Sequence, residues 1–113
     1  MKDQRPEKRI FSYEEAAAML PEVRRLTAAA YRAVEELGGD GPSTGGGASL
    51  QKRLEETVNG WARALLGMGL EVKGLWLVDF DNGSGYYCWR YPEDGLHYYH
   101  SYEDGFAGRM RIQ

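Results

Sequence analysis

Two histidines, His97 and His100, stand three residues apart in a chain that has one cysteine, Cys88. Imidazole and thiolate are the groups that most readily ligate transition metals or act as bases and nucleophiles near neutral pH. On a strand, residues three apart point to opposite faces, so the two histidines are not expected to chelate one ion together. His100 is the more interesting of the two. Glu103 and Asp104 follow it, and Asp79 closes a β-like run upstream. A histidine with two or three carboxylates can hold a divalent metal or serve as a general base. His100, Glu103 and Asp104 are therefore weak metal candidates, without a recognised ligand spacing behind them. The competing reading is a structural histidine bonded to a carboxylate or a carbonyl.

A second signal is Gly105-Phe106-Ala107-Gly108-Arg109. Two glycines beside an arginine permit a small anion-binding nest. The competing reading is a tight turn whose Arg109 pairs with Asp79 or Glu93. Asp79, Glu93, His100 and Arg109 together form the candidate ligand-binding set. Cys88 lies mid-strand among aromatics and reads as a buried, inert thiol. No catalytic residue is assigned and no cofactor is expected.

These residues must be positioned by elements, and the pattern supplies them. Ser12 with Glu15 three positions on is a capping box, so a helix starts at Tyr13. Pro21 lacks an N–H and is expected to kink that helix or split it. Leu20, Val23, Thr27, Ala30, Val34 and Leu37 alternate three and four apart, a helical seam in which Thr27 is the weakest member. Residues 38–49 hold six glycines and no large hydrophobe, and read as a flexible loop. A second helix over 50–68, capped by Ser49, carries Leu50, Leu54, Val58, Trp61, Leu65 and Met68.

After residue 70 the period becomes that of strands, over 75–80, 86–91 and 96–100, separated by Asn82-Gly83 and Pro92-Glu93-Asp94-Gly95 turns. Both connections are too short for parallel crossovers. The expected fold class is α+β: an antiparallel helical hairpin, then a three-stranded antiparallel meander and an irregular C-terminal tail.

The 113 residues fit one domain. No run is long and apolar enough to span a bilayer, and the polar first ten residues do not read as a secretory signal. A single cysteine excludes an internal disulfide and leans towards a reducing, cytoplasmic setting. The net charge of −3 argues against nucleic acid and anionic membrane as partners. Residues 1–9 hold four basic and two acidic side chains, whereas from residue 71 onward there are seven acidic and four basic ones. Seven aromatics between Tyr86 and Tyr102 could stack bases, but the acidic surroundings disfavour that and strands favour aromatics anyway.

Phe11, Glu14 to Pro21, Glu71-Val72-Lys73, Val78-Asp79-Phe80, Cys88-Trp89-Arg90, Glu93, Tyr99-His100 and Gly105 to Arg109 resemble the bacterial family of domains of unknown function numbered 2203. The last block is the most specific. Tyr99 stands where the family usually has tryptophan, and Trp76-Leu77 replace a usual glycine. The resemblance implies one prokaryotic cytoplasmic domain and carries no activity and no catalytic residue.

Two functions compete. One is a non-enzymatic interaction protein, expected to be a homodimer, because the apolar faces exceed what one thin layer can cover. The other is a protein, or an enzyme, that binds a small molecule, an anion or a divalent metal, with its site near Asp79, Glu93, His100 and Arg109. Convergence of those four in a concave pocket favours the second. Mutual pairing without a cavity favours the first.

Overall fold

The computed structural model describes residues 9–39 and 47–112. Helix α1 spans Tyr13–Gly39 and helix α2 spans Gly47–Gly67. The capping box forms at the start of α1. The Ser12 amide donates to Glu15 Oε1 at 2.9 Å and the Glu15 amide to Ser12 Oγ at 3.0 Å. The helical run continues through Pro21, which lies exposed on its outer side.

The glycine-rich loop is shorter than its composition suggests. Gly38 and Gly39 still belong to α1, and α2 begins at Gly47, so Ser49 lies inside the helix instead of capping it. The rest of the expected loop, 40–46, falls outside the described residues. Trp61 bonds Thr27, while Thr57 and Arg53 line one cleft with Ala33 and Leu37, so the helices run antiparallel.

The sheet has five strands where the sequence suggested three. They are β1 Glu71–Gly74, β2 Leu77–Asp81, β3 Gly85–Arg90, β4 Tyr98–Ser101 and β5 Met110–Arg111, paired antiparallel in chain order. β1 and β5 are the two edges. Each is too short to show a two-residue period, so neither stands out in the sequence. The C-terminal tail is accordingly not irregular: a 3-10 turn over Phe106–Gly108 leads into β5. Leu75 and Trp76 form the β1–β2 turn and not the start of a strand. Trp76 instead packs its ring against Trp61, with centroids 4.9 Å apart.

The two faces of the sheet differ sharply. Register pairs Val78 with Trp89 and Phe80 with Tyr87, placing these four on one face. That face packs on Phe11, Leu20, Val23, Trp61 and Leu65 to make the core. The chain ahead of α1 is tied in by the Phe11 amide, which donates to the Asp81 carbonyl at 2.7 Å. The opposite face carries Asp79, Asp81, Tyr86, Cys88 and His100, because side chains alternate along each strand. In a five-stranded sheet backed by helices this second face would ordinarily be wet. Here Asp79, Asp81, Cys88 and His100 are each at most 2% exposed. Side chains from β1, from the turn after β4 and from the segment before β5 cover them.

Candidate functional site

The centre of the second face is set by register. Asp79 on β2 lies directly opposite Cys88 on β3. Cys88 in turn faces Tyr98 on β4, so His100 is its diagonal neighbour two residues on. One carboxylate oxygen, the Cys88 sulfur and one ring nitrogen of His100 lie within 4.8 Å of one another. Gly85 permits the close approach of β4: a Cβ there would stand 2.5 Å from the His100 carbonyl oxygen.

His100 is held at both ring nitrogens. Nδ1 is 2.7 Å from the Ser101 carbonyl, to which it can only donate. Nε2 is 3.1 Å from Asp79 Oδ2. Nε2 thus faces Asp79 either as a second donor or, without its proton, as a lone pair. The Lys73 ammonium also donates to Asp79 Oδ2, at 3.1 Å, and lies 4.0 Å over the Tyr86 ring. Burial works against the Lys73 charge, but the hydrogen bond and the charge of Asp79 outweigh it, and its pKa is raised. Tyr86 donates to Glu71 Oε1 at 3.0 Å, and its pKa is raised by burial and by that bond. Tyr102 donates to Asp81 Oδ1 at 2.7 Å. Asp79 Oδ1 is buried and accepts no hydrogen bond from the described residues.

Burial pushes the Cys88 thiol up to about 12, helped by the negative charge of Asp79, while Arg109 pulls the other way. In this state the sulfur is protonated and is not a nucleophile. The expectation of a buried thiol matches its surroundings, but the sequence reading missed that Cys88 adjoins Asp79 and His100. Two-residue alternation from the Asn82-Gly83 turn would have placed Cys88 and Asp79 on one face.

The four candidate ligand-binding residues separate into two pairs. Asp79 meets His100, and Arg109 meets Glu93, with Nη1 and Oε2 2.8 Å apart. That contact is close but off the N–H direction, since Nη1 makes no hydrogen bond among the described residues. Arg109 is also stacked, its guanidinium 4.0 Å from the Tyr98 ring and 4.2 Å from the Phe106 ring. Glu93 in addition accepts the Arg90 amide at 2.8 Å, and its carbonyl accepts from Trp89 Nε1 at 2.9 Å. The Gly105–Arg109 segment therefore points its arginine into the protein and not at an open nest. Gly105 has a positive φ of 69°, which glycine adopts without strain.

Glu103 and Asp104 lie on the exposed turn after β4, outside the group of converging ligand atoms. The Asp104 amide donates to Ser101 Oγ at 3.1 Å, which folds the turn outward. His97 pairs with Asp94 at 2.9 Å on the surface, away from His100. Two surface clefts, of about 510 and 400 Å³, lie elsewhere and include none of the four candidate residues.

The fold and this face define a class: an α+β domain in which a helical hairpin covers one side of an antiparallel meander and the other side buries a polar cluster. The chain matches the model of the family described as "Uncharacterized conserved protein (DUF2203)" over residues 9–112, and it belongs to that family. No curated protein and no solved structure matches it. No helix among the described residues is long and apolar enough to cross a membrane.

Proposed function

We propose that this protein is a non-enzymatic interaction module that self-associates through the far end of its helical hairpin. One observation carries the reading: the helical seams change character along their length. Near the sheet, Leu20, Val23, Thr27, Ala30, Trp61 and Leu65 are buried. Beyond it, Val34, Leu37, Leu50 and Leu54 continue the same seams but stay half-exposed. Two helices alone cannot enclose an apolar stripe, whereas four can. Between them at this end lies the cleft of about 510 Å³, lined by Ala33, Leu37 and Thr57 with Glu36, Arg53 and Glu56 at its rim. Charges of both signs beside Ala33, Leu37 and Thr57 suit a twofold-related copy, in which one surface meets itself. The pairing of Asp79 with His100 and of Glu93 with Arg109 supports an interaction role over catalysis.

Light scattering on the eluting protein tests this. The expected mass is twice 12.8 kDa, falling to the single value in a Leu37→Glu/Leu54→Glu variant that keeps its circular dichroism. A monomer mass for the parent protein at tens of micromolar would overturn the reading.

A further inference from the structure

The helical hairpin leaves the polar face of the sheet without a role, and that face carries the most unusual chemistry in the molecule. We propose that Asp79, Cys88 and His100 form a three-ligand site for a divalent cation of the zinc type, with Lys73 as the counter-charge that the metal displaces.

Four features lead there. The three ligand atoms come from three adjacent strands and lie within 4.8 Å of one another. Tetrahedral bonds of about 2.0–2.3 Å put ligand atoms roughly 3.3–3.8 Å apart, so closing the site requires a contraction of about 1 Å. His100 is already oriented as metal-bound histidines are: Nδ1–H donates to the Ser101 carbonyl and Nε2 faces Asp79 Oδ2. Asp79 Oδ1, on a residue 1% exposed, has no hydrogen-bond partner among the described residues, which is costly unless something positive approaches it. Lys73 already sits at Asp79 Oδ2, and its side chain is 39% exposed, so it can swing out to solvent when an ion enters.

The donor set selects the ion. One sulfur, one imidazole nitrogen and one carboxylate oxygen suit zinc or cobalt and disfavour calcium and magnesium, which take oxygen ligands. Three protein ligands leave a fourth position for water. Binding must remove the Cys88 proton. Arg109, whose charge acts on that sulfur, favours the thiolate formed. Occupancy should therefore rise with pH, one thiol proton being released per ion bound.

Cobalt titration of the full chain, after chelator treatment, reads the site directly. One equivalent should produce intense tetrahedral d–d bands and a thiolate-to-cobalt charge-transfer band, both abolished by zinc. Cys88→Ser should remove the charge-transfer band and His100→Ala should weaken zinc binding at least about a hundredfold, beyond the 10–100-fold typical of outer-shell partners. Lys73→Met leaves all three ligands in place. It should tighten zinc binding at least about fivefold, because the ion no longer has to displace an ammonium from Asp79 Oδ2, an attraction of that size for unit charges near about 4 Å even in bulk water. Absence of stoichiometric cobalt or zinc binding in the folded parent protein overturns the proposal. So does binding that survives Cys88→Ser and His100→Ala unchanged. The Lys73→Met variant keeps the question decidable if the ligand variants fail to fold: weaker or unchanged binding there also overturns it.

Discussion

Thr27 Oγ1 accepts the indole N–H of Trp61 at 2.8 Å while donating its own proton to the Val23 carbonyl at 2.7 Å. The hydroxyl is fully buried between the two helices and satisfied on both sides. A residue that interrupts the apolar seam of α1 is thus the polar partner that lets a tryptophan enter the core. Thr27→Val should leave the indole N–H unpaired and lower stability by about 1–3 kcal/mol in urea denaturation. Thr27→Ser keeps the oxygen and should cost less. Adding Trp61→Phe to Thr27→Val should cost less than the sum of the single changes, because both polar partners are then gone.

Arg109 ties the last segment to the sheet by stacking on Tyr98 and Phe106 and by its charge against Glu93. Arg109→Ala should lower stability by roughly 1–3 kcal/mol, through lost packing as well as a lost partner for a half-buried carboxylate. Arg109→Lys should recover only part, since an ammonium lacks the flat surface that lies on the two rings. Chemical denaturation of the three proteins checks the order. A lysine variant as stable as the parent would show that charge alone holds the segment.

Cys88 predicts the behaviour of the metal-free protein in alkali. Its thiol is raised from 9.0 to about 12 in the folded state. A raised acid contributes stability that is fully present below the unfolded pKa. It is lost as pH climbs towards the folded one, because the unfolded chain gives up the proton first. Between pH 9 and 12 the slope from this group approaches about 1.4 kcal/mol per pH unit. Lys73, also raised, adds a loss in the same direction at higher pH. Denaturation curves across this window for the parent and Cys88→Ala should diverge in slope, the alanine variant being flatter. Equal slopes would show that the thiol ionises as freely in the fold as out of it.

Gly85 lies against the backbone of β4, where an added Cβ would come within 2.5 Å of the His100 carbonyl. The obstacle is main chain and cannot turn aside. Gly85→Ala should push β4 off β3 at a cost of about 1–3 kcal/mol, the scale of overpacking. Hydrogen exchange should speed up in β4 and β5 while the two helices keep their protection.

How much of this was legible beforehand follows from the range of each interaction. Ser12 and Glu15 are three residues apart and close their capping box without help from the rest of the chain, so α1 starts where the sequence says. The seam from Leu20 to Ala30 and the alternation in β2, β3 and β4 are likewise written in local periods. β1 and β5, two to four residues each, become strands only because a neighbour offers them backbone partners. The same limit explains the polar face. Asp79, Glu93, His100 and Arg109 could be picked out as chemistry-bearing residues, but which meets which depends on strand register and on where the last segment lies. Cys88 shares a face with Asp79 by hairpin alternation, but its meeting with His100 depends on the register of β4, which no short window contains. Local sequence determined the two helices, the three central strands and the alternation of faces along those strands. Burial of the second face, and the contacts made there, belong to the tertiary structure, because water is excluded only once residues distant in the chain close over the sheet.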